Sequence, residues 1–265
     1  MADRTITKGF IDPTFQVRNL LQRLLGLLYH SYYYILMFVS IIGLFPWLFH
    51  YSKHDKDFPS FYRFGRLWSA LILNGMGLVR KVAYEADIPW DRPYVVVANH
   101  SSELDIMVTY RLVKSPTVFI GKIELTRIPL FGFFFKRSSI CVDRKSLASA
   151  REVMAQSSDC LTRGLNMCIY PEGGIPKNPA MLLGPFKRGA FKLAIEHGAD
   201  IIPITFGGHR QHFPDLLKGG KPGVIRATVH KPIATKGMTQ GDAQALSNSV
   251  HDVILSQLKT YRKLS

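Results

Sequence analysis

Cysteine is scarce: Cys141, Cys160 and Cys168 are the three in 265 residues, and their spacing suggests no pairing. All three sit in apolar or helical patterns. That argues against a disulfide framework or a structural zinc and suits buried, reduced thiols in a domain facing the cytosol. Acidic residues are few as well, 19 against 34 Lys and Arg, for a net charge of +15. So basic a balance points to an anionic partner: a phospholipid surface, nucleic acid, or a phosphorylated or acidic substrate. No zinc-finger, RNA-recognition or basic-zipper pattern accompanies the charge, which disfavours nucleic acid. Gly-x-Ser-x-Gly, His-Glu-x-x-His, Walker and Gly-x-Gly-x-x-Gly patterns are also missing. Their absence argues against an ordinary serine hydrolase, zinc protease, nucleotide hydrolase or dinucleotide enzyme.

One absence is local. Leu24 to Phe49 contains no Lys, Arg, Asp or Glu over 26 residues, and a membrane-spanning helix needs about 20. Tyr29, Tyr32, Tyr33 and Tyr34 cluster near one end, and Phe45, Trp47 and Phe49 near the other, as at membrane interfaces. A cleaved signal peptide is disfavoured by the length and late start of the run and by the lack of a small-x-small site. The competing reading is a buried core helix. Basic residues stand on both sides, Arg18 and Arg23 before and Lys53, Lys56, Arg63 and Arg66 after, so charge does not assign a single crossing. A second apolar helix over Leu67 to Val79 is too short to span. Joined by the polar connector Lys53 to Pro59, the two helices could form a hairpin dipping into one leaflet, with basic flanks on anionic headgroups, and spanning stays the alternative. Residues 1–80 then form a membrane anchor and 81–265 an α/β domain. Deleting Met1 to Ser60 is expected to reduce membrane attachment more than it harms the fold.

Apolar β-branched runs alternate with helical patterns in the second part. Strands are expected at Val95 to Ala98, Thr117 to Ile120, Ser139 to Val142, Asn166 to Tyr170, Ile201 to Phe206 and Val224 to Val229. Helices are expected after Ser102 and over Ser146 to Arg163, Pro185 to His197 and Thr239 to Lys263. The fold class is α/β: a mostly parallel central sheet flanked by helices, with an N-terminal membrane-associated helical hairpin. Leu125 to Phe135, interrupted by Pro129 and Gly132, reads either as core or as the wall of an acyl-chain pocket.

The chemistry centres on Asn99-His100-Ser101-Ser102-Glu103-Leu104-Asp105, where a strand end feeds a helix start. A neutral imidazole can take a proton from an alcohol near neutral pH, and does so best when a carboxylate holds its other nitrogen. His100 and Asp105 could meet across the turn; alternatively, Asp105 completes a capping box with Ser102. Arg144 at a strand end could grip a phosphate with paired donors. Gly173 and Gly174 allow close backbone approach to a phosphate or oxyanion, or simply a turn. Glu172 could orient a basic residue or an acceptor hydroxyl. Lys187 and Arg188 open a helix, where a second anion contact fits. His209, His212 and Asp215 make a weak metal signal, and no metal is expected.

Four ordered segments carry a resemblance. Asn99-His100-x4-Asp105, Ile140-Cys141-Val142-Asp143-Arg144, Tyr170-Pro171-Glu172-Gly173-Gly174 and Ile201-Ile202-Pro203-Ile204 resemble the first to fourth motifs of the glycerolipid acyltransferases, specifically the 1-acylglycerol-3-phosphate (lysophosphatidate) acyltransferases. The likeness covers about Tyr94 to Phe206. It implies a membrane-bound enzyme with His100 as base, Asp105 orienting it and Arg144 on the headgroup; Glu172, Gly173, Gly174, Lys187 and Arg188, read from their own positions, complete the expected substrate-binding set. It implies acyl carrier protein or coenzyme A as the acyl donor, with no further cofactor. It also implies a lysophospholipid acceptor, membrane phospholipid around it, phosphatidic acid as product, and a domain facing the cytoplasm. The third motif departs from the family: Gly174-Ile175-Pro176 stands where the family has Thr-Arg-Ser, and Lys177 is a candidate replacement for the missing arginine. This leaves open another acceptor, such as a lyso-amino-acid lipid. A non-catalytic membrane or lipid-binding protein is the remaining alternative.

Overall fold

The computed structural model describes residues 13–143, 146–176, 178, 181–214 and 220–263. The chain begins with two helices, α1 (Pro13–Tyr51) and α2 (Phe58–Gly75), joined by a short 3-10 turn. They run antiparallel. Tyr32 and Tyr29 midway along α1 donate to the carbonyls of Gly75 and Met76, and Trp47 near its end stacks on Phe64 early in α2. Gly75 permits the close approach, since a Cβ there would lie 2.6 Å from Leu36 Cδ2.

The apolar run of α1 resolves into two faces. His30, Tyr33, Met37, Ile41 and Leu48, three, four or seven residues apart, are buried as one stripe. Leu24, Leu28, Ile35, Val39, Ile42 and Trp47 are exposed on the rest of the surface. Within α1, Leu20–Tyr51 is long and apolar enough to cross a membrane, with a mean hydropathy of 1.8. The inner stripe packs on the α/β body. The His30 ring stacks on Phe213 at 4.3 Å, and Phe45 meets Phe134 at 5.8 Å. In α2, the Tyr62 hydroxyl donates to Val113 O.

Among the described residues, seven strands form one sheet: β1 (Leu78–Tyr84), β2 (Val95–Ala98), β3 (Thr117–Lys122), β4 (Ser139–Val142), β5 (Asn166–Ile169), β6 (Ile201–Gly207) and β7 (Gly223–Val229), in the order β1-β7-β6-β2-β5-β3-β4. Every pairing is parallel except β6 with β7. The expected α/β class with a mostly parallel sheet is therefore present. β2 is central and wholly apolar because both of its faces are covered. The helices α3 (Leu104–Leu112), α4 (Phe131–Ser138), α5 (Leu147–Thr162), α6 (Gly189–His197), α7 (His209–His212) and α8 (Ala243–Lys263) complete the fold.

The larger departures from expectation have physical causes. The second helix begins at Phe58, not Leu67, because Pro59 sits in its first turn, where a missing N–H costs nothing. Val79 belongs to β1, an unforeseen strand that crosses the expected boundary at residue 80. β1 lies at the sheet edge with mostly exposed side chains, so it lacks a buried strand's signature. α6 begins at Gly189, not Pro185, because the Lys187 N–H is drawn out to Pro171 O at 2.9 Å. A 3-10 turn closed by a Thr239/Asp242 capping box precedes α8.

Candidate active site

β6, β2, β5, β3 and β4 all point their C-terminal ends to one edge, the usual place for a site in an open α/β sheet. At the end of β2 the Asn99 side chain spans to β6. Its Nδ2 donates to Phe206 O at 3.1 Å, and its Oδ1 accepts from Phe206 N at 2.8 Å. The next residue, His100, is thereby held over the sheet edge. Asn99 opens the first motif, but nothing in the sequence shows this cross-strand bridge.

His100 and Asp105 do meet. Asp105 is fully buried, and its carboxyl is held well below the usual carboxylate range: burial alone would raise it, but hydrogen bonds from His100 and His209 prevail. An ionised carboxylate only accepts, so His100 Nδ1–H must donate to Asp105 Oδ2, at 2.9 Å. Nε2 is left for a ligand. Oδ2 also accepts from Ser101 N at 2.6 Å and Ser102 N at 2.9 Å. Asp105 therefore ties down the turn amides and holds the imidazole at once, but the expected capping box is incomplete: the Asp105 N–H bonds the Ser102 backbone carbonyl, and Ser102 Oγ donates to Phe213 O. Tyr170 at the end of β5 stacks flat on the His100 ring at 4.3 Å. Because Thr109 Oγ1 donates to Asp105 O, the Tyr170 hydroxyl donates to Thr109 Oγ1 at 3.1 Å. This platform for His100 has no sequence signal beyond its motif.

Glu172 is positioned differently from a substrate ligand. One carboxylate oxygen accepts from the His100 backbone N–H and the other from Gly184 N–H, each at 2.8 Å. Burial pushes its carboxyl up, against those two hydrogen bonds. Glu172 thus ties the loop after β2 to the segment before α6. Glu172→Gln turns an amide NH2 toward one of these backbone donors. We expect kcat to fall about tenfold with the acceptor KM unchanged, in steady-state kinetics. A rise in KM alone would point instead to substrate contact.

Gly173 adopts φ +80°, and its N–H closes the turn onto Tyr170 O at 3.0 Å, so that amide is not open to a ligand. The space above it holds Lys187: a Cβ on Gly173 would come within 2.7 Å of Lys187 Nζ. His100, Gly173, Gly174 and Lys187 line one cavity, and Lys122 at the end of β3 joins them unforeseen. Arg188 is exposed beside α6 and is not in the cavity wall. Arg144 and Lys177 lie outside the described residues. Arg210 Nη1 donates to Pro176 O at 2.9 Å, fastening the loop where the third motif departs. Of the weak metal signal, His209 binds Asp105 and the Nδ1 atom of His212 bonds Lys221 O, while Asp215 lies outside the described residues. Among the described residues no cluster of three metal-binding side chains forms.

The cavity, about 630 Å³, is mostly apolar away from His100, within the usual size of a ligand site. The segment read as either core or acyl wall is both: Leu125, Ile128 and Phe131 line the cavity, and Phe134 and Phe135 line it while nearly buried. Gly121 is required there, because a Cβ would collide with the Phe135 ring. From the hairpin, Met37, Ile41, Leu48, Phe61 and Trp68 supply the opposite wall.

Residues 79–207 match the family model described as Acyltransferase. The chain is 34% identical over 180 residues to the 1-acyl-sn-glycerol-3-phosphate acyltransferase alpha of Mus musculus, covering 67% of this chain and 61% of that protein. It is 27% identical over 214 residues to the probable 1-acyl-sn-glycerol-3-phosphate acyltransferase of Mycoplasma pneumoniae, covering 76% and 79%. The chain thus spans less than two thirds of the mouse relative's length. Its fold is similar to that of the 1-acyl-sn-glycerophosphate (LPA) acyltransferase PlsC from Thermotoga maritima, with a TM-score of 0.72, 23% identity, and 93% and 97% of the two chains covered. The matched segment carries the four motifs in order together with the His100–Asp105 pair, and over residues 79–207 the chain is similar to the acyltransferase family.

Proposed function

We propose that the chain is a membrane-bound O-acyltransferase. It moves a fatty acyl group from the thioester of acyl carrier protein or coenzyme A to the free hydroxyl of 1-acylglycerol-3-phosphate, giving phosphatidic acid. The observation that carries this reading is the His100–Asp105 hydrogen bond at the mouth of an apolar cavity. His100 Nε2 takes the hydroxyl proton as the oxygen attacks the thioester carbonyl. The tetrahedral intermediate collapses, the C–S bond breaks, and the imidazolium returns the proton to the departing thiolate. Asp105 stabilises the imidazolium in between. The acyl chain occupies the apolar cavity, and no cofactor beyond the donor is needed.

Lys187 and Lys122 line the cavity with positive charge suited to the acceptor phosphate, and the resemblance of the second motif implies Arg144 as a further phosphate contact. Glu172 serves as a positioning group, and Arg188 drops out of the headgroup set. The exposed apolar face of α1 suits insertion among membrane phospholipids, with the basic domain on the cytoplasmic surface.

The test is a panel of lyso-lipids with labelled acyl-thioesters, offered to purified protein and scored for product. Conversion of 1-acylglycerol-3-phosphate is expected. The Gly174-Ile175-Pro176 departure favours one second reading, a lyso-amino-acid lipid acceptor, and preference for an acceptor without phosphate would select it. No turnover of any acceptor would leave a lipid-binding role.

Lys187→Ala and Arg144→Ala should each raise the KM for the phosphate-bearing acceptor about ten- to a hundredfold, because a charge-assisted contact contributes about 1.5–3 kcal/mol. The KM for the donor should hardly move. Equal effects on both substrates would remove either residue from the headgroup site.

A further inference from the structure

Asp105 is shared by two imidazoles. Oδ2 faces His100 Nδ1 at 2.9 Å, and Oδ1 faces His209 Nδ1 at 2.6 Å. Apart from His209, Oδ1 has one long contact, Ser101 Oγ at 3.4 Å. His209 is fully buried; its ring lies 5.0 Å from that of Phe206, and its Nε2 is buried without a hydrogen-bond partner. We propose that His209 is a positioning residue: a buried donor that fastens Oδ1 and limits how strongly Asp105 holds the His100 proton. This rests on the reading of His100 as the proton acceptor.

An ionised carboxylate cannot donate, so the proton of His209 resides on Nδ1. Nε2 is buried without a partner, so Nδ1 is the ring atom through which His209 acts. A donor on Oδ1 draws part of the Asp105 charge away from Oδ2. The His100 imidazolium is then stabilised less, and His100 is free to act at lower pH.

Other ionisable groups lie around this cluster. His30 of α1 is bonded to Gly26 O and Pro214 O, and His212 of α7 to Lys221 O. Glu172 holds the His100 and Gly184 amides, Glu103 stands at the cavity rim, Arg210 holds Pro176 O, and Arg226 lies on β7. No described hydrogen bond or ion pair links any of these to His209.

The experiment measures kcat/KM against pH for full-length wild type, His209→Phe and His209→Asn in detergent micelles. Phenylalanine keeps the ring and removes the donor; asparagine places an amide N–H near the Nδ1 position. His209→Phe should move the acid limb up by about one pH unit, a tenfold loss below it, and His209→Asn should bring it back. An unmoved limb in His209→Phe, or an equal shift in both variants, overturns the proposal. Proton NMR of 15N-histidine-labelled protein gives a readout independent of turnover and of how the variants fold. A hydrogen-bonded His209 Nδ1–H resonance should persist in His100→Ala, and its absence from the wild type overturns the proposal. If that resonance stands but His100→Ala stays active, the general-base reading fails and the shared carboxylate does not.

Discussion

His100→Ala is expected to lower acyl transfer about a hundred- to ten-thousand-fold, the usual cost of losing a general base, while the protein stays folded. The geometry explains why the two effects separate. The backbone N–H of residue 100 holds Glu172 and survives the substitution. Asp105 keeps its hydrogen bonds from Ser101 N, Ser102 N and His209, so no uncompensated buried charge is created. The His100 side chain is 13% exposed, and its loss opens little of the core. Labelled-acyl turnover beside a thermal melt tests this. Near-normal turnover in a variant with wild-type melting would end the mechanism.

Deleting residues 1–60 is expected to destroy the fold as well as any membrane attachment, the reverse of the weighting the sequence suggests. Tyr33, Met37, Ile41, Leu48 and Phe58 are each at most 6% exposed. Burying side chains of this size contributes about 1.5–3 kcal/mol apiece, roughly 10 kcal/mol together. A domain's whole stability is about 5–15 kcal/mol. The deletion would also open the cavity along the wall formed by Met37, Ile41 and Leu48. Circular dichroism and size exclusion in detergent should show aggregation or loss of the cooperative melt. A truncated protein that melts cooperatively near the wild-type temperature would make the hairpin an anchor only.

The sequence by itself determined the elements whose signal is local. β2 and β4 fall at the expected residues, because a short β-branched apolar run reads as a buried strand whatever pairs with it. The uncharged stretch from Leu24 to Phe49 became one helix for the same reason. His100 and Asp105 were legible as a pair because only four residues separate them across a single turn. Tertiary structure decided the rest, where partners are far apart in the chain. β1 is a strand because β7, some 145 residues on, supplies its ladder. Glu172 reaches the His100 amide across 72 residues, and His209 reaches Asp105 across 104. Whether the α1 stripe faced lipid or protein depended on Phe213 and Phe134 lying beneath it. The physical reason is the same throughout: periodicity records which face of an element is apolar, but a buried carboxylate takes its charge state, and its role, from whichever donors the fold brings to it.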